Sequence, residues 1–114
     1  MAMTLLMKCN DIEETKYFYS KVLLFNVSDT AEGTCSVRKA GGTMIFSTGD
    51  NLGGSPGMSG TVYFFVPRVD EYFEAIKDNV DVQWPLQDMS YGTREFGIKD
   101  CNGYNLVFAQ SQQN

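Results

Sequence analysis

Hydrophobic residues fall into short, strand-length runs along most of the chain, interrupted twice by a helical period. Residues 3–9 are apolar and predict a strand. Asn10-Asp11-Ile12-Glu13-Glu14 follows, a helix start in which Asn10 or Asp11 caps and a glutamate lies three residues on. Ile12, Thr15, Phe18, Tyr19, Val22 and Leu23 then share one helical face. Strand-like runs follow at 25–30, 35–39 and 43–48, with turns at Glu32-Gly33 and Gly41-Gly42. Residues 50–60 are dominated by Gly, Ser and Pro and read as a linker or mobile loop.

The pattern then restarts. Residues 61–66 predict a strand, and Pro67 and Arg68 open a second helix with Val69, Tyr72, Phe73, Ile76 and Val80 on its apolar face. Further strands are expected at 82–84, 93–99 and 104–110, with Asp100-Cys101-Asn102-Gly103 as a turn. The order β-α-β-β-β thus appears twice, at an offset of about 57 residues that sets Ile12 against Val69 and Leu23 against Val80. The reading is one α+β domain over 1–114: a first module over about 1–49, a linker at 50–60 and a second module over about 61–114.

Composition narrows what this domain does. Nine basic and fourteen acidic side chains give a net charge of −5, which argues against a nucleic-acid partner. Cys9, Cys35 and Cys101 are odd in number and without a CxxC pair, so three reduced thiols in or near a core are expected. The apolar N-terminus is short and lacks a basic flank, so neither a signal peptide nor a membrane span is expected, and the cytoplasm is the default compartment.

Two stretches carry a family resemblance. Residues 10–19, Asn-Asp-Ile-Glu-Glu-Thr-Lys-Tyr-Phe-Tyr, are similar to the "DLexSlaFY" first helix of the glyoxalase/bleomycin-resistance/extradiol-dioxygenase (vicinal oxygen chelate) superfamily. Residues 91–106, from Tyr91-Gly92-Thr93-Arg94-Glu95-Phe96 through Asp100-Cys101-Asn102-Gly103 to Leu106, resemble its "YGxREFxvxDPDGnxl" close. Cys101 stands where that turn usually has Pro, and Asn102 and Gly103 are expected to supply the positive φ. The resemblance implies two βαβββ modules forming a curved mixed sheet round a central cleft, with helices on the outer face and often a homodimer. It also implies a divalent metal held by a His or Gln in each first strand and a Glu in each last strand.

Carried onto this sequence, those positions fall at Thr4 and Thr61, and at Phe46 and Val107. None suits the role, and the chain has no histidine. No metal and no other cofactor is expected. Without histidine, proton transfer falls to a carboxylate, Tyr or Lys, and Glu95 is the acidic residue inside a strand. Alternation either turns it toward the cleft or leaves it pairing with a basic residue at a rim.

Alternation also sorts the strand positions. Leu5, Met7, Ile45, Val62, Phe64, Val66, Leu106 and Phe108 are expected to face the helices. Thr4, Leu6, Met44, Phe46, Thr61, Tyr63, Phe65, Asn105 and Val107 are expected to face the cleft. The expected ligand-binding residues are Leu6, Met44, Phe46, Thr61, Tyr63, Phe65 and Val107, joined by Trp84 and Tyr91, which bracket a mouth loop at 85–90, and by Glu95 as the candidate base. Such a lining suits an aromatic or cationic organic compound, sequestered as bleomycin-resistance proteins do. A glyoxalase-like lyase or isomerase with an atypical or metal-free site is the alternative, and a ligand-free structural dimer a third.

Overall fold

The computed structural model of the chain describes residues 3–49 and 55–112. The first module consists of β1 (Thr4–Lys8), α1 (Ile12–Tyr17), a π-helical turn (Phe18–Val22), β2 (Asn26–Asp29), β3 (Thr34–Lys39) and β4 (Gly42–Ser47). The second consists of β5 (Thr61–Phe65), α2 (Val69–Ile76), a 3₁₀ turn (Lys77–Asn79), β6 (Asp81–Asp88), β7 (Thr93–Lys99) and β8 (Asn105–Ser111). Each module is one four-stranded sheet, ordered β1-β4-β3-β2 and β5-β8-β7-β6. In both sheets the first and last strands of the module are parallel and the remaining pairs antiparallel. The twofold βαβββ reading of the sequence is the architecture observed. Residues 50–54 of the expected linker lie outside the described residues.

The helix starts differ in their chemistry. Asp11, not Asn10, caps α1 by accepting the Glu14 N–H at 3.0 Å. Pro67 lies one residue before the cap of α2 and not in its first turn. Arg68 occupies that cap without a side-chain capping bond, and Gln110 on β8 accepts the Val69 N–H instead, at 3.0 Å. The π-helical turn closes with the Leu23 N–H on the Phe18 carbonyl at 2.9 Å and is followed by Leu24 at φ 63°. The widened turn leaves Tyr19 wholly buried.

Three strand expectations need correction. In β4, Met44 pairs with Leu5 and Phe46 with Met7, so Met44 and Phe46 face the helix side and Ile45, beside Leu6, faces away. The alternation expected for this strand was one residue out of phase. In β6, the strand does not stop at Trp84 but continues through Pro85 to Asp88, so most of the expected mouth loop is strand. Proline is tolerated there because β6 is an edge strand and its register shifts on both sides of Trp84. In the turn after β7, Gly103 alone has positive φ, at 86°, and Asn102 does not. Asp100 holds this turn by accepting the N–H groups of Asn102 and Tyr104 on Oδ1, both at 2.8 Å.

The helix-side faces of both sheets share one core within the chain. Phe25 meets Phe64 edge-on at 5.2 Å, and Phe108 meets Tyr72 at 4.9 Å and Phe96 at 5.4 Å. Polar bonds cross the same junction. The Tyr19 hydroxyl donates to Asp100 Oδ2 at 2.5 Å, the Tyr72 hydroxyl to the Leu23 carbonyl at 2.7 Å, and the Tyr104 hydroxyl to the Lys8 carbonyl at 2.7 Å. All three cysteines are free; Cys9 and Cys35 are buried and Cys101 half-buried.

Burial gives this core a pH dependence with a definite sign. It pushes the Cys35 thiol up to about 11 and the Cys101 thiol up to about 12, and it lifts the Tyr19 and Tyr72 phenols far above their ordinary range. In the unfolded chain these groups ionise at ordinary values, so above about pH 9 the unfolded state releases protons that the folded state keeps. The contribution of these groups to stability is therefore full below that point and lost as pH rises. Thermal melts followed by circular dichroism are expected to fall by roughly 10 °C or more between about pH 8 and about pH 10.5. A flat profile over that range would contradict the burial of these groups.

Candidate functional site

The face of the second sheet away from α2 gathers most of the expected site residues. On β7, Phe96 and Ile98 enter the core, so Thr93, Glu95, Gly97 and Lys99 turn to the open side. Strand pairing extends this into rows. One row runs Tyr63, Val107, Gly97, Trp84 across β5, β8, β7 and β6. The next runs Phe65, Ala109, Glu95, Gln87. Small residues at Gly97 and Ala109 leave room between the aromatic edges. At Gly97 that room is taken by the Trp84 indole, because a Cβ there would lie 2.5 Å from the ring.

Glu95 has 0% exposure, so it does not pair with a basic residue at a rim, and no Lys or Arg bridges it among the described residues. Its Oε1 accepts the Tyr91 hydroxyl at 2.9 Å and the Thr93 hydroxyl at 2.7 Å. Its Oε2 is buried without a hydrogen-bond partner among the described residues, as is Trp84 Nε1. Tyr91 is held above the ordinary phenol range, first by the neighbouring Tyr63 hydroxyl, then by burial and by Glu95. The hydroxyls of Tyr91 and Thr93 thus converge on Glu95 at the aromatic face.

Thr93 and Gly97 were missing from the expected set. Both lie two residues from Glu95, so strand alternation alone places them on its face. Of the other expected residues, Tyr63, Phe65 and Tyr91 are here and exposed by 44%, 57% and 57%, Thr61 is exposed at the edge of the same face, and Val107 is buried in its floor. Leu6 lies on the open face of the first sheet, 54% exposed, in a row with Ile45 and Ser36. Met44 and Phe46 belong to the core and not to either open face.

In the single chain the floor of the aromatic face is closed, since Glu95 and Val107 are fully covered by neighbouring side chains. A cavity of about 360 Å³ lies elsewhere, at the junction of the modules, lined by Lys39, Val66, Arg68 and Tyr72 among others. The Lys39 ammonium lies 4.2 Å from the centre of the Tyr72 ring there.

The metal implied by the resemblance does not fit the donors present. With the register of β4 corrected, the counterpart of Val107 is Ile45, and the four positions become Thr4, Ile45, Thr61 and Val107. Two hydroxyls and two aliphatic side chains do not make a site for zinc, nickel, iron or manganese. Among the described residues no cluster of three His, Cys, Asp or Glu side chains is placed to hold an ion. No helix of the described residues is long and apolar enough to cross a membrane.

No protein-family model matches the chain, and no curated protein matches it in sequence. Solved structures match it in fold. TioX from Micromonospora sp. ML1 is 21% identical with a TM-score of 0.81, over 97% of this chain and 98% of that one. A glyoxalase/bleomycin resistance protein/dioxygenase from Alicyclobacillus acidocaldarius is 14% identical with a TM-score of 0.76, over 99% and 92%. The fosfomycin resistance protein FosX from Listeria monocytogenes is 18% identical with a TM-score of 0.73, over 97% and 93%.

Proposed function

Because the chain has the fold of the vicinal-oxygen-chelate proteins, we propose that it is a small-molecule binding protein of the bleomycin-resistance type. In this reading it sequesters an aromatic or cationic organic compound, such as an antibiotic, on the open face of the second sheet and without a metal. The observation that carries the reading is the row Tyr63, Val107, Gly97, Trp84 lying beside the buried carboxyl group of Glu95. Flat apolar surfaces next to an acidic group are suited to stacking and to cation–π attraction. The fold hosts several activities, so the side chains and not the fold carry the argument. Two of the structural relatives are resistance proteins by name, which agrees with it. Sequestration needs no bond made or broken; it lowers the free compound by binding alone.

A homodimer in the cytoplasm completes the proposal. Leu6, Tyr63 and Phe65 leave apolar surface exposed at β1 and β5, an edge strand of each sheet, where a second copy would cover it. Trp84 is the single tryptophan, so its fluorescence reports on the site directly. Titration with bleomycin, mitomycin and planar cationic dyes is expected to give a saturable change for at least one class, with Kd in or below the micromolar range. No response from any of them up to about 1 mM, where binding is worth only about 4 kcal/mol, would oppose the reading.

One observation favours a second reading. Oε2 of Glu95 has no partner among the described residues, as a general base waiting for a substrate proton would. A lyase or isomerase built on it would lose its turnover in Glu95→Gln, and unchanged turnover in that variant refutes it.

A further inference from the structure

We infer that the open face of the second sheet grips its ligand through two hydrogen bonds of opposite sense. A ligand N–H or O–H donates to Oε2 of Glu95, and Nε1 of Trp84 donates to a ligand carbonyl or ring nitrogen. The ligand class is then a flat ring compound bearing both a donor and an acceptor, not a quaternary cation. The inference rests on the binding reading above and narrows it.

Among the described residues, these two are the buried side-chain N or O atoms without a hydrogen-bond partner. Buried polar atoms in folded proteins are nearly always paired, so each such exception asks for a partner that the chain itself does not supply. Here both exceptions fall on one face of one sheet. Trp84 pairs with Gly97, and Glu95 lies two residues before Gly97 on the same side of β7. Two strand residues span about 7 Å, the scale of one or two fused rings. The senses are complementary as well: an indole N–H only donates, and a carboxylate oxygen accepts.

In the free chain both groups have a defined resting place. The hydroxyls of Tyr91 and Thr93 hold Oε1 of Glu95, which orients the carboxyl group and leaves Oε2 free. Trp84 is seated on Gly97 with register shifts on both sides of it, the kind of local irregularity that re-aims a side chain beside a binding site. Both unpaired atoms are shielded in the free chain, so entry requires Trp84 or Tyr91 to swing outward. Tyr91 is already 57% exposed.

Calorimetry, which does not depend on the tryptophan signal, tests this with 2-quinolone and 4-quinolone, each against its N-methyl derivative, and with N-methylquinolinium. At least one N–H quinolone is expected to bind about tenfold or more tighter than its N-methyl counterpart. The preference is expected to shrink to about threefold or less in Glu95→Gln, whose amide presents a donor where Oε2 accepts. Trp84→Phe keeps an aromatic ring but removes Nε1, and is expected to weaken the N–H quinolone by about tenfold. Melts of both variants check folding, and if either fails to fold, the N–H against N-methyl comparison on the unaltered protein decides alone. N-methyl forms or the quinolinium binding as tightly as the N–H forms overturn the inference and leave the binding reading standing. Absence of binding by every planar compound overturns both.

Discussion

Phe46→Ala is expected to destabilise the protein by about 3–5 kcal/mol, while Ile45→Ala, one residue away, costs about 1 kcal/mol. Phe46 is 0% exposed and meets Tyr19 at 5.0 Å and Tyr104 at 6.2 Å between ring centres. Removing its ring leaves a cavity between α1 and the first sheet that close-packed neighbours refill only in part. Ile45 faces the other way, half-buried beside Leu6 and Ser36, where truncation opens no enclosed space. Urea unfolding of the two variants distinguishes a core role from a ligand-lining role for Phe46. If Phe46→Ala kept wild-type stability and lost ligand affinity, the placement of β4 described above would be wrong.

Asp100→Ala is expected to cost about 3–5 kcal/mol, by a different mechanism. The carboxyl group lies in the β7–β8 turn and accepts three hydrogen bonds, from the N–H groups of Asn102 and Tyr104 and from the Tyr19 hydroxyl of the other module. Alanine strands all three donors in or near the core. Asp100→Asn keeps the acceptor for the two N–H groups and turns an NH₂ toward Tyr19, whose oxygen can accept, so about 1–2 kcal/mol is expected. Tyr19→Phe should fall between the two, and a double-mutant cycle with Asp100→Asn isolates the contact between modules. Burial raises the Asp100 carboxyl above its ordinary range despite its hydrogen bonds. As pH rises from the ordinary carboxylate range, the unfolded chain therefore releases this proton first and stability declines. The asparagine variant is expected to lack that step in melts taken across the acidic range.

Much of this architecture is legible in the sequence for physical reasons. Both helices have a full apolar stripe and a distinct start, and the Gly/Ser/Pro stretch separates two copies of one pattern. The face of Glu95 follows from Phe96 and Ile98 on either side of Gly97, because two apolar residues at a spacing of two commit a strand. Thr43-Met44-Ile45-Phe46 offers no such commitment: three large apolar residues in succession fit either phase. The phase is set by pairing with β1, where Leu5 and Met7 draw Met44 and Phe46 to the helix side. The strand end at Trp84 is not legible as an error in the sequence, since proline supplies no ladder donor and nothing local says that β6 is an edge strand. At the candidate site, alternation brings Tyr63, Val107 and Glu95 to one face. It carries no information about closure of the floor by Trp84, or about Tyr91 reaching Glu95 from the turn before β7.

The irregular edge at β6 has a consequence for solubility. A regular edge strand bearing aromatic side chains is a template on which further chains add, strand upon strand, toward aggregates. Pro85 removes one backbone donor from that edge, and the shifts on both sides of Trp84 break the even spacing an incoming strand would need. The same distortion that lays the indole across the sheet also makes this edge a poor template for an incoming strand, which leaves β5 as the regular edge of the sheet.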